Sequence, residues 1–307
     1  MIRFEGVTKQ YNDKKAVDNI SFEIKEGEFF VLIGPSGSGK TTTLKMINRL
    51  IPLSNGYIYF KDKPISEYKL DEMRWDIGYV LQQIALFPHM TIKENISQVP
   101  LMKQWPKQKI DEQANRLLDM VGLPADEFKD RFPSELSGGQ QQRVGVIRAL
   151  MADPPVILMD EPFSALDPLS REKLQDDLLR LQAEIHKTIV FVTHDIKEAL
   201  KLGDRICLMN KGKIEQIGTP ESFINQPKNA FVRDFMGDAV KDTLYARNLM
   251  DNNHSCTGYP IDANAPSKEV FQLLSQHEQL AVTEAGEIIG TITRENVFRF
   301  LSQEANA

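Results

Sequence analysis

Only two of the 307 residues are cysteine, Cys207 and Cys256, and neither belongs to a C-x-x-C pair. That scarcity excludes a disulfide framework and a zinc ribbon, and it suits a reducing compartment. His254 stands two residues from Cys256 but lacks a second ligand pair, so it offers no metal site. Long apolar runs are missing too: nothing approaches the roughly 20 residues needed to cross a bilayer. The chain opens on a strand-like segment rather than a signal peptide, so any work at a membrane is expected to pass through another protein. Basic runs and aromatic-interleaved basic patches are also absent. The net charge of -6 comes from 37 Lys and Arg against 43 Asp and Glu, and nucleic acid is not an expected partner. Of the five histidines, His89, His186, His254 and His277 sit in no motif and read as surface or loop residues.

The length exceeds one typical domain, which suggests one large core and a smaller appendage. Glu28 to Ile33 is an apolar run of the kind that forms a strand buried on both faces. Gly34, Pro35, Ser36, Gly37, Ser38, Gly39, Lys40 and Thr41 follow, and they satisfy G-x-x-x-x-G-K-[ST] at every fixed position. Leu44, Ile47 and Leu50 then recur at helical spacing, with Pro52 ending the helix at Leu50 or Ile51. Strand, loop and helix in that order make a phosphate-binding loop. Its glycines let backbone N–H groups close around phosphates, and the helix N-terminus adds partial positive charge. Lys40 reaches the terminal phosphates and the Thr41 hydroxyl ligates magnesium, with Thr42 beside it.

A second anion-sized site stands at Leu136, Ser137, Gly138, Gly139 and Gln140, where two glycines open a predicted helix over Gln141 to Met151. It has no Gly-Lys-Thr of its own. Downstream lies Val156 to Glu161, an apolar strand closed by the carboxylates Asp160 and Glu161, then Pro162 and Ser164, Ala165, Leu166 and Asp167. With these motifs in this order, residues 2–237 resemble the nucleotide-binding subunits of ATP-binding cassette (ABC) transporters. The resemblance implies a P-loop α/β core with an antiparallel β subdomain and a helical insertion. It also implies two copies packed head to tail, each ATP lying between the P-loop of one copy and Ser137, Gly138, Gly139 and Gln140 of the other.

The same resemblance assigns roles. Tyr11 looks like the aromatic that stacks on adenine; surface or core packing is its plain alternative. Asp160 at a strand end suits an oxygen-seeking magnesium ion. Glu161 is the residue expected to orient or deprotonate the attacking water. His194, following the predicted strand Thr188 to Thr193, resembles the switch histidine that contacts the γ-phosphate. Gln82, just past the strand Ile77 to Leu81, looks like the glutamine that completes the magnesium shell, although Gln83 is adjacent. Asp167 lies in the loop that crosses between copies. Phe87, Pro88 and Met90 are candidates for gripping a permease, with a buried apolar patch as the alternative.

Leu44 to Ile51, Ile77 to Ile84 and Ala152 to Pro155 look most like the ATPases of osmoprotectant uptake systems, which import glycine betaine, carnitine, choline and related quaternary amines. The implied partners are a second copy, an integral permease and an extracellular solute-binding protein. The implied location is the cytoplasmic face of the cell membrane. Uptake of another small solute, or a soluble ABC-type ATPase not coupled to transport, are the rival readings. The chain has neither the long coiled-coil or zinc insertion of repair types nor the second cassette of translation factors.

Met250 to Pro266 is rich in Asn, Asp, Ser, Thr, Gly and Pro, marking a boundary. Beyond it the pattern predicts a helix over Ser267 to Gln276 bearing Val270, Leu273 and Leu274, strands over Gln279 to Thr283 and Glu287 to Thr293, and a closing helix from Arg294 to Leu301. Residues 245–304 resemble a single cystathionine-β-synthase-type (CBS) domain. Such domains work in pairs around an adenine nucleotide or cyclic dinucleotide, so the resemblance implies that two tails join across a homodimer as a regulatory module, or as a dimerisation element without a ligand.

Overall fold

Phe29 and Phe30 are adjacent in one strand and therefore face opposite ways, and the packing on those two faces organises the larger part of the chain. The computed structural model describes residues 1–164, 166–242, 246–251, 258–263, 265, 267–284 and 286–305. His254 and Cys256 lie outside the described residues. Two compact units emerge, Met1–Val232 and Arg233–Ala307.

The strands of the first unit are β1 (Ile2–Tyr11), β2 (Lys14–Ile24), β3 (Phe29–Ile33), β4 (Asn55–Phe60), β5 (Lys63–Pro64), β6 (Ile77–Val80), β7 (Val156–Asp160), β8 (Thr188–Val192), β9 (Arg205–Asn210) and β10 (Lys213–Gly218). One sheet has the order β2-β1-β4-β5 and is antiparallel throughout. The other has the order β10-β9-β3-β8-β7-β6, parallel except where β10 pairs antiparallel with β9. Every residue of β3, β7 and β8 is buried, as continuous apolar runs in a parallel sheet require. Phe4, Phe22 and Phe30 stack at 4.4 and 5.4 Å between centroids and join the two sheets into one core. On the opposite face, Phe191 packs against Phe29 at 5.8 Å and Phe163 at 5.4 Å.

Between β6 and β7 the chain forms the helical insertion, with helices Ile92–Met102, Lys107–Met120, Ala125–Phe128 and Gly138–Leu150. Lys107–Met120 buries Ile110, Ala114, Leu117 and Leu118, a single stripe at helical spacing. The loop before the insertion is tied down by two side chains. Asn95, wholly buried, accepts from the Phe87 amide at 2.7 Å and donates to the carbonyls of Phe87 and Met90, both at 3.1 Å. Arg148 donates to the carbonyls of Ala85 at 2.7 Å and Ile84 at 3.1 Å. Phe87 itself stays exposed, so the apolar cluster there is not a buried patch.

Some boundaries move from the sequence expectation, each for a local reason. The helix after the P-loop is Lys40–Ile47 and ends before Leu50. Arg49 adopts left-handed backbone, and the Leu50 amide turns back to the Lys45 carbonyl at 3.0 Å, which closes the helix without waiting for Pro52. The second glycine-led helix begins at Gly138 rather than Gln141, because Ser137 caps it and Gln140 completes a capping box. The closing helix of the tail continues past Leu301 to Ala305.

In the second unit β11 (Tyr259–Asp262) runs parallel to β12 (Gln279–Glu284), which pairs antiparallel with β13 (Glu287–Thr293). The parallel pair needs a crossover, and the helix Ser267–Gln276 supplies it. Val270, Leu274, Leu280, Val282 and Ile292 form its small core. His277 stacks on Tyr259 with centroids 4.4 Å apart.

Candidate active site

Three parallel neighbours, β3, β8 and β7, end at Gly34, His194 and the Asp160–Glu161 pair respectively, so the sheet order alone delivers the motif residues to one edge. Ligand sites of open α/β sheets lie at that edge, beyond the carboxyl ends of the strands. A cavity of about 420 Å³ opens there, lined by Tyr11, Lys14, Ala16, the loop Ser36 to Thr42, and Glu161. Two clefts of about 790 and 620 Å³ lie elsewhere on this unit and contain no motif residue; chemistry, not size, selects the site.

The loop conformation is forced by its own surroundings. At Gly34 a Cβ would stand 2.1 Å from the Met209 carbonyl oxygen, and at Gly39, with φ of +105°, 2.5 Å from the Ala16 oxygen. Only glycine fits either place. Lys40 is almost wholly buried, its Nζ donating to the carbonyls of Gly34 at 2.8 Å and Pro35 at 3.1 Å. Burial pushes its ammonium below the usual lysine range, while Glu161 and Asp160 oppose that shift. The Ser38 hydroxyl is buried without a hydrogen-bond partner, an orphan that a phosphate oxygen in the loop would satisfy.

Asp160, buried at the end of β7, accepts from the Thr41 hydroxyl at 2.9 Å on one carboxylate oxygen. Its other oxygen takes the Tyr79 hydroxyl at 3.4 Å and faces the Lys45 ammonium at 3.7 Å. A hydroxyl and a carboxylate this close, beside a phosphate loop, suit a hard cation that fills the rest of its shell with phosphate and water oxygens. Gln82 is exposed two residues beyond β6, as is Gln83, and Gln82 forms no hydrogen bond to Thr41 or Asp160.

Glu161 turns off β7 with a φ of 45°, an uncommon conformation for a residue with a side chain. Its amide donates to the Val192 carbonyl at 3.0 Å, which fixes the turn against β8. The carboxylate thereby reaches His194, Oε2 to Nδ1 at 3.1 Å, on the cavity wall. Carboxylate and imidazole stand in hydrogen-bond contact, with the carboxylate lining the same cavity as the Ser36 to Thr42 loop.

Ser137, Gly138, Gly139 and Gln140 do not join this cavity. Ser137, Gly139 and Gln140 line a separate one of about 260 Å³ with Arg143, Leu169, Ser170 and Lys173. The Ser137 hydroxyl accepts from the Gln140 amide at 3.3 Å, and the Gln140 side chain returns to the Ser137 amide at 2.8 Å, leaving Ser137 and Gly138 exposed at the helix N-terminus. Lys45 and Tyr79 were missed by motif reading. Lys45 was visible as the residue one turn beyond Thr41, on the same helix face. Tyr79 had no signal beyond its place in β6; burial beside Asp160 drives its phenol far above the ordinary range and keeps it a donor.

Comparison with known proteins agrees. The ABC transporter family model matches residues 17–164. The choline transport ATP-binding protein OpuBA of Bacillus subtilis is 54% identical over 279 residues, covering 90% of this chain and 73% of the relative. The osmoprotectant import ATP-binding protein OsmV of Salmonella typhimurium is 48% identical over 292 residues, covering 92% and 76%. Among solved structures, the dimeric ATP-binding cassette MJ0796 bound to ADP and Pi superposes with a TM-score of 0.64 at 37% identity, over 72% of this chain and 99% of that one. The cbiO1 subunit from Clostridium perfringens gives 0.68 at 28% identity, over 76% and 94%. A phosphate loop, a carboxylate-imidazole pair facing it, and identity of this level along nine-tenths of the sequence have one explanation: the chain belongs to the ABC transporter family, as an ATP-hydrolysing, ATP-binding subunit.

Proposed function

We propose that this chain hydrolyses ATP with Mg2+ to energise import of quaternary-amine osmoprotectants, glycine betaine, carnitine or choline, through a separate membrane permease. The observation that carries the hydrolytic part is that Thr41, bonded to Asp160, and Glu161, in contact with His194, both line one phosphate-loop cavity. The substrate class rests on the choline and osmoprotectant relatives.

Tyr11 stacks on the adenine, and the amides of Gly34 to Thr42 cradle the phosphates, with Lys40 supplying a point charge. Thr41, Asp160 and Gln82 would hold the magnesium ion, which when bound would offset negative charge on the phosphates. Glu161 accepts a proton from water as the water oxygen bonds to the γ-phosphorus and the bond from that phosphorus to the ADP oxygen breaks, leaving ADP and phosphate. His194, oriented by Glu161, contacts the γ-phosphate. Ser137, Gly138, Gly139 and Gln140 of a second copy close over the same nucleotide, which is why they stand apart from the P-loop within one chain. That makes the working unit a homodimer.

The exposed Phe87, on a loop pinned by Asn95 and Arg148, suits a rigid contact with the permease. None of the helices among the described residues is long and apolar enough to cross a membrane, and the chain is assigned to the cytoplasmic face as a peripheral subunit working with an extracellular solute-binding protein. The test is uptake of labelled glycine betaine, carnitine and choline at high osmolarity in cells expressing the neighbouring permease genes with wild-type chain or Glu161→Gln. Uptake of at least one amine, lost in the variant, supports the reading. No uptake of any of the three, while the purified chain hydrolyses ATP, removes the substrate class.

Residues 245–304 are assigned as one CBS-like domain that pairs with its copy to gate transport, with an adenine nucleotide or cyclic dinucleotide as ligand. The support is its three-stranded sheet with one crossover helix and one closing helix. Deleting residues 240–307 is expected to leave ATP binding intact and make uptake independent of osmolarity. A truncated system that still switches with osmolarity would remove the regulatory role.

A further inference from the structure

The loop after β7 and the loop after β8 carry Glu161 and His194, and one cation joins them from outside the motifs. Arg171 lies in the first turn of the helix Pro168–Ile185, whose N-cap is Asp167. Its Nη2 donates to the Leu166 carbonyl at 3.3 Å, and its Nη1 stands 3.5 Å from Asp195 Oδ2, next in sequence to His194. Its Nε points at Glu198 Oε1 from 3.9 Å and is buried without a hydrogen-bond partner.

Glu198 is itself buried, and it receives the Thr193 hydroxyl at 2.6 Å and the Gln175 amide at 3.4 Å. Thr193 in turn accepts from the Asp195 amide at 3.0 Å, and Asp195 Oδ1 caps the following helix through the amides of Lys197 and Glu198. On the other loop, Ser164 bonds the Glu161 carbonyl through both its amide and its hydroxyl, at 3.3 and 3.0 Å. The contacts thus run from Leu166 through Arg171 to Asp195 and Glu198, then through Thr193 to the residue beside it, His194. They form a partial circuit beside the Glu161–His194 pair.

The circuit is incomplete at one point. An ordinary N–H···O bond is about 2.9 Å long, so the Nε of Arg171 is about 1 Å short of seating on Glu198. A planar guanidinium is the only side chain that presents donors in three directions at fixed angles. We infer that Arg171 is the positioning residue that couples the Ser164–Asp167 loop to the loop bearing His194: movement of the first loop seats the guanidinium on Asp195 and Glu198 and sets the imidazole against Glu161. This rests on the hydrolytic reading of the site and extends it to residues outside the lining of the phosphate-loop cavity.

The test uses the full-length chain as wild type, Arg171→Ala, Arg171→Lys, Asp195→Asn and the Arg171→Ala/Asp195→Asn double variant. It measures kcat, KM for ATP, equilibrium nucleotide affinity and melting temperature. A misplacement of about 1 Å at a reacting pair costs on the order of 100-fold in rate. The Ala variant should therefore lose about 10- to 100-fold in kcat with KM and nucleotide affinity within about twofold. Lysine keeps the charge and fold but offers no fork, so its kcat should remain at least about fivefold low at an unchanged melting temperature. In the Asp195→Asn background the loss from Arg171→Ala should shrink, because the two act through one contact.

Additive losses, or a Lys variant within about twofold of wild-type kcat, overturn the coupling. Glu161→Gln in parallel separates the two claims. If that variant hydrolyses normally the site reading itself fails; if it is inactive while the Arg171 variants are normal, only the coupling fails.

Discussion

Glu161→Gln will bind ATP with wild-type affinity and hydrolyse it at least about 100-fold more slowly, the scale on which a positioned general base contributes. Glutamine has the same shape, so the φ of 45° and the amide bond to Val192 are retained at no added cost. In the proposed site the phosphate contacts come from Gly34 to Thr42 and none from Glu161, which lines the same cavity and stands 3.1 Å from His194. An amide cannot take a proton from water at neutral pH, and the oxygen or nitrogen it offers His194 carries no charge. The loss therefore falls on kcat and leaves binding alone. Nucleotide held without turnover should also prolong the association of two copies, visible as an ATP-dependent dimer in gel filtration. Turnover within about tenfold of wild type would remove Glu161 from the role of base.

Much of this site was legible because its residues sit at ends of strands that composition alone identifies. Phe29 to Ile33, Val156 to Asp160 and Thr188 to Val192 are uniformly apolar, and a polar residue immediately after such a run is forced to the sheet edge. Fixed spacing then named Lys40 and Thr41, while the carboxylates Asp160 and Glu161 followed from their place at a strand end and from the family resemblance. What spacing could not reach was contact between distant segments. Tyr79 meets Asp160 across 81 positions of sequence, and Asn95 organises the Phe87 loop through hydrogen bonds that no periodicity encodes. The helix end at Ile47 was invisible for a related reason: Arg49 in left-handed backbone is a choice made by the turn, whereas Pro52 is written in the sequence. Arg171 carries no motif signal, and its contacts with the two loops exist only in the fold.

Lys40→Met should separate the two things that this buried cation does. With its ammonium gone the phosphates lose their one point charge in the loop, and affinity for MgATP should fall at least about 100-fold, in keeping with a strong charge-assisted contact. Stability without nucleotide should hardly change, because two effects of similar size oppose each other. Burying an ammonium is unfavourable, as the downward push on its pKa records, and methionine fills nearly the same volume without that penalty. Against this, the Gly34 carbonyl loses a donor, which costs about 1–3 kcal/mol, although Pro35 keeps the Ser38 amide at 3.1 Å. Asp160 and Glu161 lose a neighbouring cation, but Asp160 retains Thr41, Tyr79 and Lys45. The melting temperature of the free variant should thus lie within about 5 °C of wild type. MgATP at about 100 times its Kd stabilises a binding-competent chain by about 2.7 kcal/mol, a rise of roughly 5–10 °C, and the variant should show at most about 0.4 kcal/mol of it, about 1–2 °C, at the same concentration. The comparison is best made in the Glu161→Gln background, so that nucleotide survives the melt. A full ligand-induced rise in the Lys40 variant would place the phosphates elsewhere; a collapse of the free variant's stability would make Lys40 a structural residue first and a nucleotide contact second.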